Sequence, residues 1–250
     1  MKNVPAYDAL AAGYDVVMEY VDYEMWASYA HTLIEHHHPK AKSILELGCG
    51  TGSLALDLQP LGPYRYHGTD GSAAMIRVAE AKAELYGADV TFSVADFTSF
   101  KTDRPVDVVL LVYDGLNYLL DPSDVRRLME RAHAALAPGG LFVFDQSTPA
   151  NSENNEEYFQ DEGEAEGFVY TRTSRYDRAT RLHTTVFDID IEGTAFHEEH
   201  VQRAYEMEEI TLLIPEGFTI AGAYDGFDEK PATADSERVH WVLRKVPPGA

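Results

Sequence analysis

ILELGCGTGSL, residues 44–54, runs apolar side chains into one acid, Glu46, and then places Gly48, Gly50 and Gly52 at every second position. Glycines at that spacing let a large ligand lie against bare backbone at a strand-to-helix turn. A dinucleotide fingerprint requires G-x-G-x-x-G. Here Ser53 stands where its third glycine would fall, and no Gly-Lys-Ser/Thr of a phosphate loop follows. A carboxylate two residues before the first glycine would repel a phosphate. It suits an ammonium group. The loop therefore points to a ligand with no phosphate and a positively charged end.

Apolar runs and helical periodicities alternate around this loop. Strands are expected at 43–47, 64–69, 90–95, 106–112 and 140–145, with helices at 5–14, 22–37, 52–58, 72–86 and 122–136. On the second helix Met25, Trp26, Tyr29, Leu33 and His37 form the expected buried stripe. Buried strands alternating with helices predict a Rossmann-like, mostly parallel sheet with helices on both faces. Residues 150–166 are acidic and aperiodic and are expected to be a loop. Residues 167–205 then alternate polar with apolar in three segments, which predicts a small inserted antiparallel sheet of three strands. A helix at 206–215 and two strands, FTIAGAYDGF and RVHWVLRK, close the chain. The expected division is a main domain of 1–149 and 206–250, with 1–38 closing over the ligand, and an inserted subdomain of 150–205.

Two more acids refine the ligand. Asp70 ends the second strand, 18 residues past Gly52, where a carboxylate accepts from ribose hydroxyls. Asp96, in VADF at 94–97, is placed for an adenine amino group, with Phe97 beside the ring. One adenosine, no phosphate and a cationic amino-acid tail describe S-adenosylmethionine (SAM).

The order ELGCGTG, GTDGS, VADF, DVVLLVYDGLNYL and LAPGGLFVFD, over residues 40–145, resembles the class I SAM-dependent methyltransferases. YDALAAGYDVVM, YEMWASYA and EEHVQRAY are similar to a bacterial small-molecule subgroup with an extra antiparallel sheet, near the aminosugar N,N-dimethyltransferases. The resemblance implies a seven-stranded sheet whose last strand is antiparallel. It implies a SAM site of Tyr14, Trp26, Glu46, Gly48, Cys49, Gly50, Gly52, Asp70, Gly71, Met75, Ala95, Asp96, Phe97 and Val112, with Tyr14 and Trp26 closing over it. Asp114 and Asn117, after the fourth strand, would lie under the methyl donor. With Tyr14 and His200 they are the candidate acceptor-side residues.

The formal charge of −22 argues against nucleic acid or an anionic membrane as partner. So does Tyr113-Asp114-Gly115-Leu116, where methylases of nucleic-acid amines carry Asn/Asp-Pro-Pro-Tyr. A small molecule, with an amine as acceptor, is the reading adopted. Oxygen or carbon as acceptor atom, and a SAM-binding regulator without turnover, are the alternatives. The lone Cys49 and the lack of a signal-like start or an 18-residue apolar run fit a cytoplasmic chain. No metal site is expected: His36, His37 and His38 diverge around a helix and suit a cationic cap at its C-terminus. Glu198 and His200 share one strand face and, with Arg203 nearby, are expected on the acceptor side or its rim, where an acidic roof suits a cationic amine. A plain salt-bridged sheet face is the competing reading. The number of subunits stays open, a homodimer included.

Overall fold

The computed structural model describes residues 1–247, the side chain of Glu157 apart. The expected main domain runs to 250, and its residues 248–250 lie outside the described residues. Twelve strands occur among the described residues. Seven form one sheet: β2 (Ser43–Leu47), β3 (Arg65–Asp70), β4 (Val90–Val94), β5 (Val106–Leu111), β6 (Leu136–Ser147), β11 (Phe218–Asp225) and β12 (Arg238–Lys245). Their order is β11-β12-β6-β5-β2-β3-β4, and all pairs are parallel except those made by β12. The expected doubly covered sheet with its last strand antiparallel is therefore present.

Strand alternation sends successive side chains into two cores. Leu45, Val109, Leu111, Phe142, Phe144 and Trp241 pack with Val125, Leu128 and Met129 of helix α5 (Pro122–Ala135). Ile44, Val108, Leu110, Leu141 and Val143 pack on the other face with α2 (Tyr23–His37) and α3 (Ser53–Leu58). Caps fix the helix starts: Asp22 accepts from Met25 N at 2.8 Å, Ser72 caps α4 (Ala73–Tyr86), and Asp121 precedes Pro122 of α5.

Several expectations are corrected. No helix spans 5–14. Leu10–Ala12 is a 3₁₀ turn, and only Tyr14–Val17 (α1) is α-helical. The N–H groups of Tyr7, Ala9 and Leu10 go instead to the carboxylate of Glu198, a tertiary acceptor that replaces the intrahelical carbonyls. On α2, Met25 is exposed, and Trp26, Ala27, Ala30, Leu33 and Ile34 are the buried stripe. The C-terminal carbonyl of His37 is capped by Arg244, and burial lowers the pKa of the His37 ring. It is no cationic cap.

The inserted sheet has five strands, not three. β7 (Gln160–Ala165), β8 (Phe168–Asp177), β9 (Leu182–Ile191) and β10 (Thr194–Arg203) run antiparallel, and β1 (Lys2–Asn3) joins β10 in parallel. Glu192 and Gly193 both take positive φ in the tight β9–β10 turn. The expected loop of 150–166 holds a helix α6 (Pro149–Asn154), a 3₁₀ turn at Glu156–Tyr158 and the edge strand β7. Its acids gave no apolar period because an edge strand can be charged and solvated. Helix α7 (Met207–Leu213) leads back to the main sheet. Among the described residues no helix is long and apolar enough to cross a membrane.

Candidate active site and cofactor cleft

The carboxyl ends of β2, β3 and β5 converge under the N-terminal segment, where parallel α/β sheets bind ligands. A cavity of about 400 Å³ lies there, lined by Gly48, Gly50, Asp70, Gly71, Met75, Phe97, Val112 and the strip Pro5–Asp8. A smaller cavity of about 40 Å³ continues past Gly50 to Glu46, Cys49 and Trp26. Tyr14 and Tyr113 line both. Gly50 holds φ +53° with Tyr14 above it, and its N–H donates to Asp70 Oδ2 at 3.0 Å. Asp70 Oδ1 accepts from Ser72 N at 2.7 Å, so this carboxylate also ties the glycine loop to the start of α4. Burial raises the pKa of Asp70, and these two N–H bonds oppose the shift.

Glu46 is buried and lines the small cavity. Tyr66 Oη donates to its Oε2 at 3.0 Å. Burial pushes its pKa up to about 8, against the pull of the Tyr66 bond. Such a carboxylate is costly in the free protein and is stabilised by a cation placed beside it. The Cys49 thiol is raised far above its ordinary value by burial and then by Glu46 and Asp70, so it is no thiolate nucleophile.

Other expected cofactor residues sit elsewhere. Asp96 is exposed and accepts from Thr98 N and Oγ1 at 2.8 and 2.6 Å. Neither it nor Ala95 lines the cavities. A Cβ on Gly52 would stand 2.8 Å from the Phe92 ring, so this glycine serves packing behind the loop.

A third cavity of about 290 Å³ lies under the second sheet. It shares Tyr7, Tyr14, Tyr113 and Tyr118 with the larger cleft. Asp114, Asn117 and His200 line it, with the uncharged polar side chains of Ser147, Asn151, Ser174, Thr185 and Gln202. The Asn117 amide is fully engaged: its Nδ2 donates to the carbonyls of Ser147 and Arg203, and its Oδ1 accepts from Ser147 N. It staples the 3₁₀ turn after β5 to both sheets. Asp114 is ion-paired to Arg238 at 2.6 Å. Of the three residues expected on the acceptor side or its rim, only His200 lines the chamber. Glu198 is wholly buried beneath the N-terminal segment, and Arg203 lies on the opposite face of β10, paired with Glu209 at 3.2 Å. Among the described residues no three His, Cys, Asp or Glu side chains are grouped to hold a metal.

Sequence reasoning missed Tyr7, Tyr113, Tyr118, Asp145 and Arg238. Asp145 carried a signal, since it ends the strand expected at 140–145. The others bear on the site only through chain crossings that the sequence does not display.

Residues 44–140 match the family described as "Methyltransferase domain". A provisionally named methyltransferase of Geobacillus sp. (strain WCH70) is 28% identical over 246 residues, covering 96% of this chain and 99% of that protein. A SAM-dependent methyltransferase from Clostridium acetobutylicum ATCC 824 superposes with a TM-score of 0.78 at 20% identity, over 94% of this chain and 96% of its own. The sugar N-methyltransferase KedS8 from Streptoalloteichus sp ATCC 53650 gives 0.71 at 22% identity, over 93% and 92%. The fold is that of the class I SAM-dependent methyltransferases. The matched domain and the relatives named as methyltransferases indicate a SAM-dependent methyltransferase.

The residues present fit that cofactor. A bare glycine backbone, Glu46 before the loop, Asp70 beside Gly50 and an aromatic ring supply what a nucleoside with an amino-acid tail needs. When bound, SAM supplies a methyl carbon activated by its sulfonium.

Glu46→Gln is expected to weaken SAM roughly ten- to a hundredfold, the loss of one charge-assisted hydrogen bond. The same change should stabilise the free protein at pH 8. The folded pKa of about 8 exceeds the ordinary 4.5, so the unfolded chain gives up its proton first as pH rises. Stability contributed by Glu46 is therefore full below 4.5 and is lost toward pH 8. Calorimetric titration with SAM at pH 7, in buffers of different ionisation heat, should show proton release for the native protein and less for Glu46→Gln. Equal proton release from both proteins would separate Glu46 from the ammonium end.

Proposed function

We propose that this protein transfers the methyl group of SAM to an amine of a small polar molecule. SAM occupies the 400 Å³ cleft and its small extension, and the acceptor occupies the 290 Å³ chamber under the second sheet. The observation that carries this reading is the shared wall: Tyr7, Tyr14, Tyr113 and Tyr118 face both spaces, so a donor and an acceptor meet there. The chamber lining suits a neutral, polyfunctional metabolite. Its charged groups are already paired, Asp114 with Arg238 and Arg172 with Asp161. KedS8, a sugar N-methyltransferase, has the same fold and supports nitrogen as the acceptor atom. In this reading Tyr14 touches the reactants, His200 lines the chamber behind Tyr118, and Asp114 and Asn117 shape the floor. The charge of −22 repels polynucleotides, and the lone cysteine suits the cytoplasm.

The test is a mass-shift screen with SAM against amino acids, aminosugars, polyamines and matched hydroxyl compounds, followed by locating the new methyl group. Methylation at nitrogen supports the proposal. Methyl found only on oxygen or carbon sinks the amine reading. SAM binding without turnover on any compound favours the regulator.

A further inference from the structure

We propose that Tyr7, Tyr118, His200 and Glu198 form a directed proton relay that takes up the proton released by the methylated acceptor. The proposal rests on the acceptor chamber described above. Tyr7 Oη and Tyr118 Oη are 2.5 Å apart, Tyr118 Oη lies 3.1 Å from His200 Nδ1, and His200 Nε2 lies 3.1 Å from Glu198 Oε2. The direction of every hydrogen follows from the far end. Glu198 accepts N–H bonds from Tyr7 at 2.8 Å, Ala9 at 2.6 Å and Leu10 at 2.9 Å. An oxygen set so occupied is a carboxylate. Burial opposes its charge, but the bonds from His200 and the three backbone groups outweigh burial and hold its pKa low. A carboxylate can only accept, so His200 Nε2 carries the hydrogen, and in the neutral imidazole Nδ1 is then bare. Nδ1 then accepts from the Tyr118 hydroxyl, and the Tyr118 oxygen accepts from Tyr7. The Tyr7 oxygen keeps its lone pairs for the wall between the two cavities.

Both phenols are held neutral, chiefly by burial, so they pass protons without storing charge. The groups facing His200 are Glu198 on its own strand, Tyr118 from the 3₁₀ turn, Tyr7 from the N-terminal segment and the apolar ring of Phe187. The step balances. Methylation leaves the acceptor nitrogen as an ammonium. Its N–H proton goes to Tyr7, the proton of Tyr7 goes to Tyr118, and that of Tyr118 goes to His200 Nδ1. One positive charge ends on the imidazolium beside Glu198, and it returns to water when the product leaves. Glu198 is a positioning residue with two duties: it fixes the imidazole tautomer and fastens the strip Pro5–Asp8 over the cofactor cleft.

Nitrogen NMR of protein labelled with ¹⁵N-histidine, assigned through His200→Gln, tests the relay with no acceptor present. At pH 8 His200 should show a protonated Nε2 and a bare, hydrogen-bonded Nδ1. Glu198→Gln should shift the population toward the other tautomer, because an amide can donate to Nε2. A protonated Nδ1 in the native protein overturns the proposal. Kinetics use the amine best methylated in the screen above. Tyr118→Phe should lower kcat about tenfold or more, as loss of a proton acceptor does. KM and SAM affinity should stay within about threefold. His200→Gln should lower kcat and remove the acid limb of its pH profile. Unchanged kcat and pH profile in both variants overturn the relay while the chamber reading stands. Ser174→Trp, which fills the chamber, judges that reading by itself: undiminished turnover there places the acceptor elsewhere.

Discussion

Arg238→Ala is expected to cost about 3–5 kcal/mol of folding stability, the range for leaving a buried charge without its partner. Arg238 bridges Asp114 at 2.6 Å and Asp145, and Asp145 is fully buried. Burial pushes the Asp145 carboxyl upward, and Arg238 pulls it back. The pair also holds the backbone. Tyr113 and Asp114 both have positive φ, at 66° and 63°, which costs a residue with a side chain. Asp114 N donates to Asp145 Oδ1 at 3.1 Å, fixing this turn, and the turn presents Tyr113 to all three cavities. The guanidinium also lies over Trp26, 5.2 Å from the ring centroid. Urea unfolding measures the loss. Arg238→Lys should recover only part of it, because an ammonium has no planar fork. A loss under about 1 kcal/mol, the size of an exposed pair, would mean Asp145 is neutral in the fold.

Gly50→Val is expected to abolish measurable SAM binding while the protein keeps its helical circular dichroism. Gly50 needs φ +53°, a region closed to β-branched residues at little cost. A Cβ there would lie 3.8 Å from Tyr14, an ordinary contact, so the fold has room for it. The branches would project where Gly50 lines both cofactor cavities. The N–H to Asp70 would also shift as the loop relaxed. Calorimetry with SAM reads the effect. Native affinity in a folded Gly50→Val protein would move the ligand away from this loop.

The main sheet was legible because its information is local. Ile44, Leu45 and Leu47 at strand spacing, glycines at the turn, and Ser72 and Asp121 as caps each act within a few residues. The order of such segments then fixes a parallel sheet and puts Glu46, Gly50 and Asp70 at its carboxyl end. The second sheet was legible only where apolar alternation survived. β7 is acidic and β1 has two residues, so neither carries a period. The segment 5–14 has helical spacing, yet Glu198, some 190 residues away, takes its N–H groups and holds it in turns. The same carboxylate turns His200 from a rim residue into a buried partner of Tyr118. Arg238 and Asp145 meet only because β12 lies antiparallel beside β6, Arg238 opposite Ser147. What the sequence by itself determined was the frame of the cofactor cleft, since propensity, capping and periodicity are properties of neighbours along the chain. What only the tertiary structure decided was the acceptor side, because a buried charge chooses its partner by proximity in space, and sequence spacing carries no record of that.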